Sequence, residues 1–155
     1  MTAPAVTVRD ATEDDAELLL SWRNDPATRQ ASRSAGVIDL DSHLRWLRRV
    51  LTAPDRILLV AMRAGTPVGT VRFDDEGDRE WEVSITLAPG SRGRGLSRPV
   101  LAAGEQALAA RTDAAAVLAA VHPDNAASAA LFERAGYLED APAADGFRRL
   151  RKTLH

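Results

Sequence analysis

Residues 89–100 read Pro-Gly-Ser-Arg-Gly-Arg-Gly-Leu-Ser-Arg-Pro-Val, and this stretch decides how the rest of the chain is interpreted. An alternating segment that predicts a strand comes before it, and an Ala- and Leu-rich run that predicts a helix from Leu96 to about Arg111 follows it. The turn Arg92-Gly93-Arg94-Gly95-Leu96-Ser97 therefore places successive backbone N–H groups at the positive end of a helix dipole, an arrangement that binds phosphate. Glycine allows the backbone to approach a ligand, while Arg92 and Arg94 can add charge-assisted contacts. The turn alone also fits a plain glycine-rich loop.

Two other nucleotide-binding motifs do not fit this turn. A dinucleotide fingerprint requires glycine at the position of Arg98, and a P-loop requires a Gly-Lys-Ser/Thr ending that the chain lacks. The turn is therefore predicted to be neither of these sites.

A second block lies further along the chain, where residues 125–137 read Asn-Ala-Ala-Ser-Ala-Ala-Leu-Phe-Glu-Arg-Ala-Gly-Tyr. The turn at 92–97 resembles the signature Arg/Gln-x-x-Gly-x-Gly/Ala of the GNAT N-acetyltransferase superfamily, apart from Ser97 in its last position. The second block is similar to the family's Asn-x-x-Ser/Ala-x-x-Leu-Tyr-x-x-x-Gly-Phe. The pair resembles that family more specifically than either motif alone. The resemblance implies an acetyl-CoA-dependent N-acetyltransferase, with acetyl-CoA (coenzyme A) as cosubstrate.

The order of the predicted elements is strand, two helices, three strands, helix, strand, helix and two strands. This order predicts an α/β (α+β) fold in which helices cover both faces of a mixed sheet, with parallel pairing around the Leu96 helix. The GNAT resemblance implies a mostly antiparallel sheet of about six to seven strands with about four helices. It also implies a V-shaped split between the strands at 80–88 and 117–122. In the second helix, four leucines at helical spacing are predicted to form the core-facing stripe: Leu40, Leu44, Leu47 and Leu51.

The resemblance assigns the donor site to the two motifs and to the strand before the turn. In the family the pantetheine arm lies in the split, which implies that the thioester lies beside residues 85–87 and that backbone amides near Leu87 stabilise the developing oxyanion. The residues implied in cofactor binding are Ile85, Thr86, Leu87, Arg92, Gly93, Arg94, Gly95, Leu96, Ser97, Asn125, Ser128 and Phe132.

The candidate acid–base groups lie around the split. Glu82 stands where many relatives carry a glutamate, so the resemblance makes it the candidate base; a salt-bridging carboxylate on the sheet face is the alternative. The family's usual general-acid tyrosine is Phe132 here, which has no proton to give, and Ser84, Ser128 and His122 are the candidate substitutes. A structural role is the alternative for His122, which stands before a proline. A thiolate with a pKa of about 8.5 is a weak base and tolerates the loss of an acid. Tyr137 is expected to pack in the core.

The first two helices and the loop between them form the acceptor wall in this family. The residues that the resemblance places there are Trp22, Arg23, Asn24, Asp25, Arg29, Ser32, His43 and Trp46. His43 and Trp46 are three residues apart, so both can meet a ring or sugar from one helical face; ordinary packing of Trp46 is the alternative. The pattern resembles acetyltransferases that act on amino-sugar nucleotides. Similar Trp-x-Asn blocks occur in relatives that acetylate ribosomal-protein N-termini and in aminoglycoside-modifying enzymes.

The chemistry of the amine favours a weakly basic acceptor. A lysine amine with a pKa of about 10.4 is almost wholly protonated at neutral pH, whereas an α-amine with a pKa of about 8 is partly neutral. An amino-sugar nitrogen is expected to be acidified by its neighbouring oxygens. A small-molecule amine is therefore the expected partner. A non-catalytic acyl-CoA-binding module is an alternative because of Phe132, and a purely structural interaction domain is a third.

Length and composition exclude several other classes. The 155 residues are expected to form one domain, 1–155, present as a monomer or a homodimer. The formal charge of −2 argues against a nucleic-acid partner. The absence of cysteine removes disulfides and thiolate chemistry, and the remaining acids and histidines show no metal-ligand spacing, so no metal is expected. No long apolar run or leader pattern is present, so we expect a cytoplasmic protein without a membrane partner.

Overall fold

The computed structural model describes residues 5–26, 36–144 and 146–154. Within these ranges, seven strands form one sheet and four α-helices pack against it. The strands are β1 (Val6–Asp10), β2 (Arg56–Arg63), β3 (Thr66–Gly77), β4 (Glu80–Leu87), β5 (Ala116–Val121), β6 (Leu138–Ala144) and β7 (Phe147–Thr153). The helices are α1 (Ala16–Arg23), α2 (Leu40–Thr52), α3 (Ser97–Arg111) and α4 (Ala126–Arg134).

The sheet is mixed and mostly antiparallel, as predicted. Its strand order is β1-β2-β3-β4-β5-β7-β6, and β4 and β5 are its parallel pair. These two strands stay in register only from Glu80 opposite Ala116 to Val83 opposite Ala119. The rest of β4, residues 84–87, pairs with β3 alone. The sheet therefore opens into the predicted V between β4 and β5.

Alternate side chains of each inner strand point to opposite faces of the sheet, and helices cover both of these faces. On β2, Leu59 and Ala61 join the core under α3, while Leu58 and Val60 join the core under α1 and α2. The approach of α3 is close at Gly104, where a Cβ would lie 2.8 Å from a Val71 methyl carbon. Glycine at this position lets the helix that begins at the turn sit directly on β3.

The first two helices are fixed at their starts by carboxylates. Asp15 accepts two hydrogen bonds from the Arg9 guanidinium, at 2.9 and 2.8 Å, and one from the Thr12 N–H at 2.9 Å. The hydrogen bonding from Arg9 is the main reason that the pKa of Asp15 lies below its ordinary value. At the start of α2, Asp39 accepts from the Ser42 N–H at 2.7 Å.

The predicted leucine stripe of α2 is wrong in its position. Leu40 is 40% exposed, and the fully buried side chains of the helix are His43, Leu47 and Val50. Leu44 and Leu51 flank this face and are only partly buried. The buried face lies one residue to the side of the predicted stripe, because His43 and Val50 are buried where Leu44 and Leu51 were expected, while Leu47 belongs to both faces. Leu47 and Val50 pack in the same core as Leu58 and Val60 of β2.

Candidate active site

A cleft of about 720 Å³ lies where β4 and β5 diverge. Its walls come from α1 and α2 on one side, from β3 and β4 on its floor, and from β5 and α4 on the other side. The sequence-predicted site residues that line it are Trp22, Arg23, His43, Trp46, Glu82, Ser84, Ile85, Thr86, Leu87, Arg92, Ser97, His122, Asn125, Ser128 and Phe132. Residues far apart in sequence are thus brought to one opening, which is large enough for a small ligand.

The turn at 92–97 has the backbone that an anion site requires. Gly93 and Gly95 have φ angles of +73° and +70°, a region that residues with a Cβ rarely occupy. Helix α3 begins directly afterwards at Ser97, and no side chain caps its start within the described residues. The first-turn N–H groups of α3 therefore have no capping oxygen from a side chain in the described ranges, and such groups are able to bind an anion. Leu96, a predicted cofactor contact, is 7% exposed and belongs to the core.

The side chain of Arg92 has a partner on the opposite wall of the cleft. Its Nη1 donates to Asp25 Oδ2 at 2.7 Å, just after α1. This ion pair joins the donor turn to the acceptor wall. The expected direct contact of Arg92 with phosphate would have to compete with Asp25, so the anion-binding capacity of the turn lies chiefly in its backbone.

Backbone groups of β4 also face the split. Ala88 donates its N–H to the Val68 oxygen at 2.9 Å, so in this antiparallel register the amides that point toward β3 belong to alternate residues. The amides of Ile85 and Leu87 therefore point the other way, toward the side from which β5 has departed. An extended ligand can bond there in place of a strand.

The helix on the far side of the split, α4, is capped by the second motif. Asn125 accepts the Ser128 N–H at 3.0 Å through its side chain. Phe132 is 6% exposed and packs edge-on against Tyr137, with ring centroids 5.0 Å apart. The structure therefore gives Phe132 a core position at the edge of the cleft.

Tyr137 is a core residue, as the sequence predicted. It is 1% exposed, and its hydroxyl donates to Glu105 Oε2 at 2.7 Å. Lys152 donates to the other Glu105 oxygen at 2.9 Å, which completes a buried network between α3 and β7. Burial and the charge of Glu105 raise the pKa of Tyr137 far above its ordinary value. Its proton is therefore held in the core and is not available to a leaving group in the cleft.

Three carboxylates lie together on the cleft floor. Glu82 of β4 lies opposite Asp74 of β3, and Glu76 lies two residues further along β3. Partial burial, followed by a hydrogen bond to Glu82, raises the pKa of Glu76. Because Glu76 keeps a proton to a higher pH than an ordinary glutamate, the pair can hold a shared proton beside the cleft.

Two of the predicted substitutes for the missing tyrosine, Ser84 and His122, have different surroundings. Ser84 lies on the floor between Glu82 and Thr86. His122 follows β5 and accepts the Asp124 N–H through Nδ1 at 3.1 Å. Its ring also packs edge-on against Phe147. The third, Ser128, lies in α4, and all three residues line the cleft.

Trp46 forms the centre of the acceptor wall. The His43 ring stacks on it at 5.5 Å, and the guanidinium carbons of Arg23 and Arg72 lie 5.6 and 5.8 Å from its ring centroid. Burial, and then the positive charge of Arg72, lower the pKa of Arg23. Burial and the charge of Arg23 likewise lower the pKa of His43, and the backbone of Ala16 partly opposes this.

Asn24 is not among the described residues that line the cleft. The Asn24 carboxamide donates to the Ile38 carbonyl at 2.8 Å and accepts the Ile38 N–H at 2.9 Å. Asn24 thus connects the end of α1 to the residues before α2. The sequence predicted a substrate contact for Asn24, whereas these bonds give it a structural role. Arg29 and Ser32 lie outside the described residues.

Sequence reasoning missed the polar face of β3. Thr70, Arg72, Asp74 and Glu76 all line the cleft. Their signal was present in the sequence, because polar residues at alternate positions alternate with Val71 and Phe73 in a strand that lies at the centre of the sheet. A polar face on a central strand indicates a cleft and not a core.

A family model described as the acetyltransferase (GNAT) domain matches residues 5–138. The chain belongs to the GNAT acetyltransferase family. The match spans the glycine turn, the split and α4, so this chain is a GNAT acetyltransferase. No curated protein matches it by sequence.

Solved structures share the GNAT fold along nearly the whole chain. Spermidine N-acetyltransferase from Vibrio cholerae, in complex with CoA and spermine, superposes with a TM-score of 0.86 at 15% identity and covers 96% of this chain and 95% of its own. Aminoglycoside acetyltransferase AAC(6′)-Ib, in complex with ribostamycin and CoA, gives 0.84 at 21%, covering 97% and 94%. Ribosomal-protein-alanine N-acetyltransferase from Brucella melitensis gives 0.80 at 26%, covering 95% and 99%.

Two further observations concern what this GNAT chain contains. Across the described ranges, no group of His, Asp and Glu residues is arranged to hold a metal ion. The helices in those ranges include none that is long and apolar enough to cross a membrane.

Proposed function

We propose that the chain acetylates the primary amine of a small molecule by direct attack on acetyl-CoA, with an amino sugar or amino-sugar nucleotide as the acceptor class. The observation that carries the proposal is one continuous cleft. At one end lies a phosphate-binding backbone turn, at the other a polar aromatic wall, and carboxylates lie between them. Such a cleft accommodates a donor and an acceptor together.

The donor would be held mainly by backbone groups. The N–H groups of the turn at 92–97 and of the first turn of α3 fit the pyrophosphate, and the amides of Ile85 and Leu87 fit the pantetheine arm and the thioester oxygen. Acetyl-CoA supplies the acetyl group in activated form, as a thioester. The residues that line the cleft then orient the thioester. Because β5 does not pair with residues 84–87 of β4, this part of the strand edge is open to the pantetheine arm.

The proposed reaction joins nitrogen to carbon at the junction of the two halves. The neutral amine attacks the carbonyl carbon, a C–N bond forms, the C–S bond breaks, and the sulfur leaves with the bonding electron pair. Glu82 accepts the proton that the amine loses, directly or through water. Glu76, hydrogen-bonded to Glu82, is positioned to share that proton.

No strong acid is required for the leaving group. Phe132 cannot donate a proton, and the Tyr137 hydroxyl is bonded to Glu105 in the core. A thiolate with a pKa of about 8.5 leaves without full protonation. His122 or Ser84 would supply the proton afterwards from the cleft wall.

The proposed acceptor class is inferred from the side chains that surround Trp46. An aromatic ring flanked by polar and charged side chains suits a sugar or another ring that carries polar groups. Protein N-terminal amines are the second class, since the relative that is 26% identical is named for ribosomal-protein alanine. Aminoglycosides are the third, from neighbours whose likeness extends to the fold alone.

Calorimetry with acetyl-CoA and an assay of free thiol release test the proposal together. We expect acetyl-CoA to bind in the micromolar range and thiol release to depend on an added amino sugar. Peptides with a free N-terminus and aminoglycosides form the comparison panel. Absence of acetyl-CoA binding at millimolar concentration, or binding without turnover on every amine, would overturn the proposed reaction. Turnover on peptides alone would replace the acceptor class and leave the reaction intact.

A further inference from the structure

The acceptor wall carries two guanidinium groups on one aromatic ring. Arg23 comes from the last turn of α1 and Arg72 from the middle of β3, and both lie within 6 Å of the Trp46 centroid, at 5.6 and 5.8 Å. All three side chains line the cleft. Two like charges at one ring repel each other, so a folded chain keeps them together only at a cost in free energy.

Arg23 has no acidic partner in the described structure to offset that cost. No carboxylate lies within ion-pairing distance of it in the described ranges, and the undescribed stretch at 27–35, which follows α1, contains no Asp or Glu. Burial and the neighbouring charge of Arg72 both lower the pKa of Arg23. A half-buried guanidinium without a counter-ion is a ready site for a negatively charged group.

Arg72 is only partly neutralised. Its Nε lies 3.3 Å from Asp74 Oδ1, but both atoms are buried and neither has a hydrogen bond of acceptable geometry. An ion pair that leaves both facing atoms unsatisfied is weaker than a bidentate one. The Arg72 guanidinium therefore retains donors for a ligand in the cleft.

His43 gives a second, independent indication of a ligand. It is 2% exposed and lines the cleft, and it has no hydrogen bond of good geometry, although the Ala16 backbone lies close enough to raise its pKa. Burial has the larger, opposite effect on the pKa and so favours the neutral ring, which has one donor and one acceptor. Buried polar groups are almost always satisfied, so a buried ring beside Trp46 without a well-formed hydrogen bond favours a polar ligand there.

The cations and the carboxylates are adjacent on the cleft floor. Arg72 stands opposite Ser84 in the β3–β4 register, one alternation from the pair of Asp74 and Glu82. Positive groups therefore lie next to the acids that would receive the amine. This arrangement of charges suits a molecule that carries a negative group close to its amine. It does not suit a polyamine, because the positive charges of a polyamine would be repelled by Arg23 and Arg72.

We propose that the acceptor carries a phosphate or carboxylate near its amine, and that Arg23 and Arg72 bind this group against Trp46 while the amine reaches Glu82. The inference rests on the proposed acetyl transfer and narrows its acceptor to anionic amines. Polyamines and aminoglycosides are thereby excluded as preferred acceptors. Phosphate and carboxylate share the chemistry that a guanidinium fork recognises, and the experiment separates them.

Matched acceptors with one amine and with or without the negative group test the proposal. Glucosamine is compared with glucosamine 6-phosphate, alaninamide with alanine, and spermidine serves as the polycation. We expect kcat/KM to be at least about tenfold higher for the anionic member of one pair, since a charge-assisted hydrogen bond contributes about 1.5–3 kcal/mol. The phosphate pair and the carboxylate pair tell which group the site prefers.

Two variants locate the effect. Arg23→Gln and Arg72→Gln should each lower kcat/KM for the anionic acceptor about tenfold or more beyond any loss on its neutral counterpart, while the Kd of acetyl-CoA stays within about twofold. Arg45→Gln is the matched control, because Arg45 is an exposed arginine of α2 bonded to Ser42. It should change none of these values.

Several outcomes would overturn the proposal. Spermidine or the neutral amines as the best acceptors would do so, and so would equal losses on neutral and anionic acceptors in the arginine variants, which would indicate a structural role. If acetyl-CoA binds but no amine is turned over, the proposed reaction fails, and calorimetry with glucosamine 6-phosphate and CoA decides the anion site separately. Binding that weakens tenfold in Arg23→Gln supports it, and equal or absent binding in both proteins contradicts it.

Discussion

The proposed donor and acceptor halves of the cleft differ in what forms them. The half that we assign to the donor consists of backbone amides, held in place by glycines of positive φ and by the start of α3. The half that we assign to the acceptor consists of side chains from α1, α2, β3 and β4 that meet around Trp46 and Glu82. A backbone site depends on local conformation, whereas a side-chain site depends on how distant elements pack. Changes in one half should therefore leave the other half largely intact.

The largest effect is expected at the junction of the two halves. Glu82→Gln keeps the shape of the side chain and removes the proposed base, so kcat/KM for the acceptor should fall by about 10²–10⁴-fold. Calorimetry should give an unchanged Kd for acetyl-CoA. Glu17→Gln, an exposed glutamate of α1, is the matched control. Unaltered turnover in Glu82→Gln between neutral and alkaline pH would remove Glu82 from the base role.

A change at Gly95 should affect the donor half alone. Gly95 has a φ of +70° and open space around it, so Gly95→Val introduces backbone strain without a clash. Strain of about 1–3 kcal/mol should weaken acetyl-CoA binding by about tenfold or more, as measured by calorimetry. Gly90→Ala, in a glycine without positive φ, should leave the Kd unchanged. Equal effects of both changes would show that the turn does not bind the donor through its backbone conformation.

The contact between Arg9 and Asp15 holds the start of α1, and its contribution to the free energy of unfolding should be measurable. Asp15→Asn weakens the contact with Arg9 at the start of α1, and we expect the free energy of unfolding at neutral pH to drop by about 1–2 kcal/mol. Because the folded-state pKa of Asp15 is lowered, its contribution is present above the unfolded pKa of about 3.9 and is lost as the pH falls through the folded-state value. Urea titrations of both proteins should converge in acid. Asp14→Asn, an exposed neighbour, should match wild type at every pH.

The smallest change is expected in the pH profile. The pKa of Glu76 is raised by partial burial and by the hydrogen bond to Glu82, so ionisation of Glu76 contributes to the acid limb of kcat/KM. Glu76→Gln removes that titration, and the acid limb should move to lower pH with little change in the plateau. Profiles that superimpose would mean that Glu76 takes no part in the proton transfer.

The sequence predicts the backbone of the glycine turn well and the side chains of the acceptor wall poorly, for a physical reason. The turn is a local motif, and in the structure it lies between β4 and the start of α3, as predicted. Arg72 and Glu76 act with Glu82 and Trp46 only after β3 has paired with β4 and α2 has packed above them. The misplaced leucine stripe of α2 has the same origin, since helical spacing gives the period of a buried face but not which of two neighbouring faces is buried.

The two hydrogen bonds between Asn24 and Ile38 affect which sequence changes the fold can accept. The Asn24 carboxamide bonds to both backbone groups of Ile38, as a neighbouring strand would, and so fixes the two ends of the intervening segment at one point. The cost of closing a loop rises only slowly with its length. Changes of length between these two anchors should therefore cost the fold little free energy, because the two ends stay joined by the same pair of hydrogen bonds.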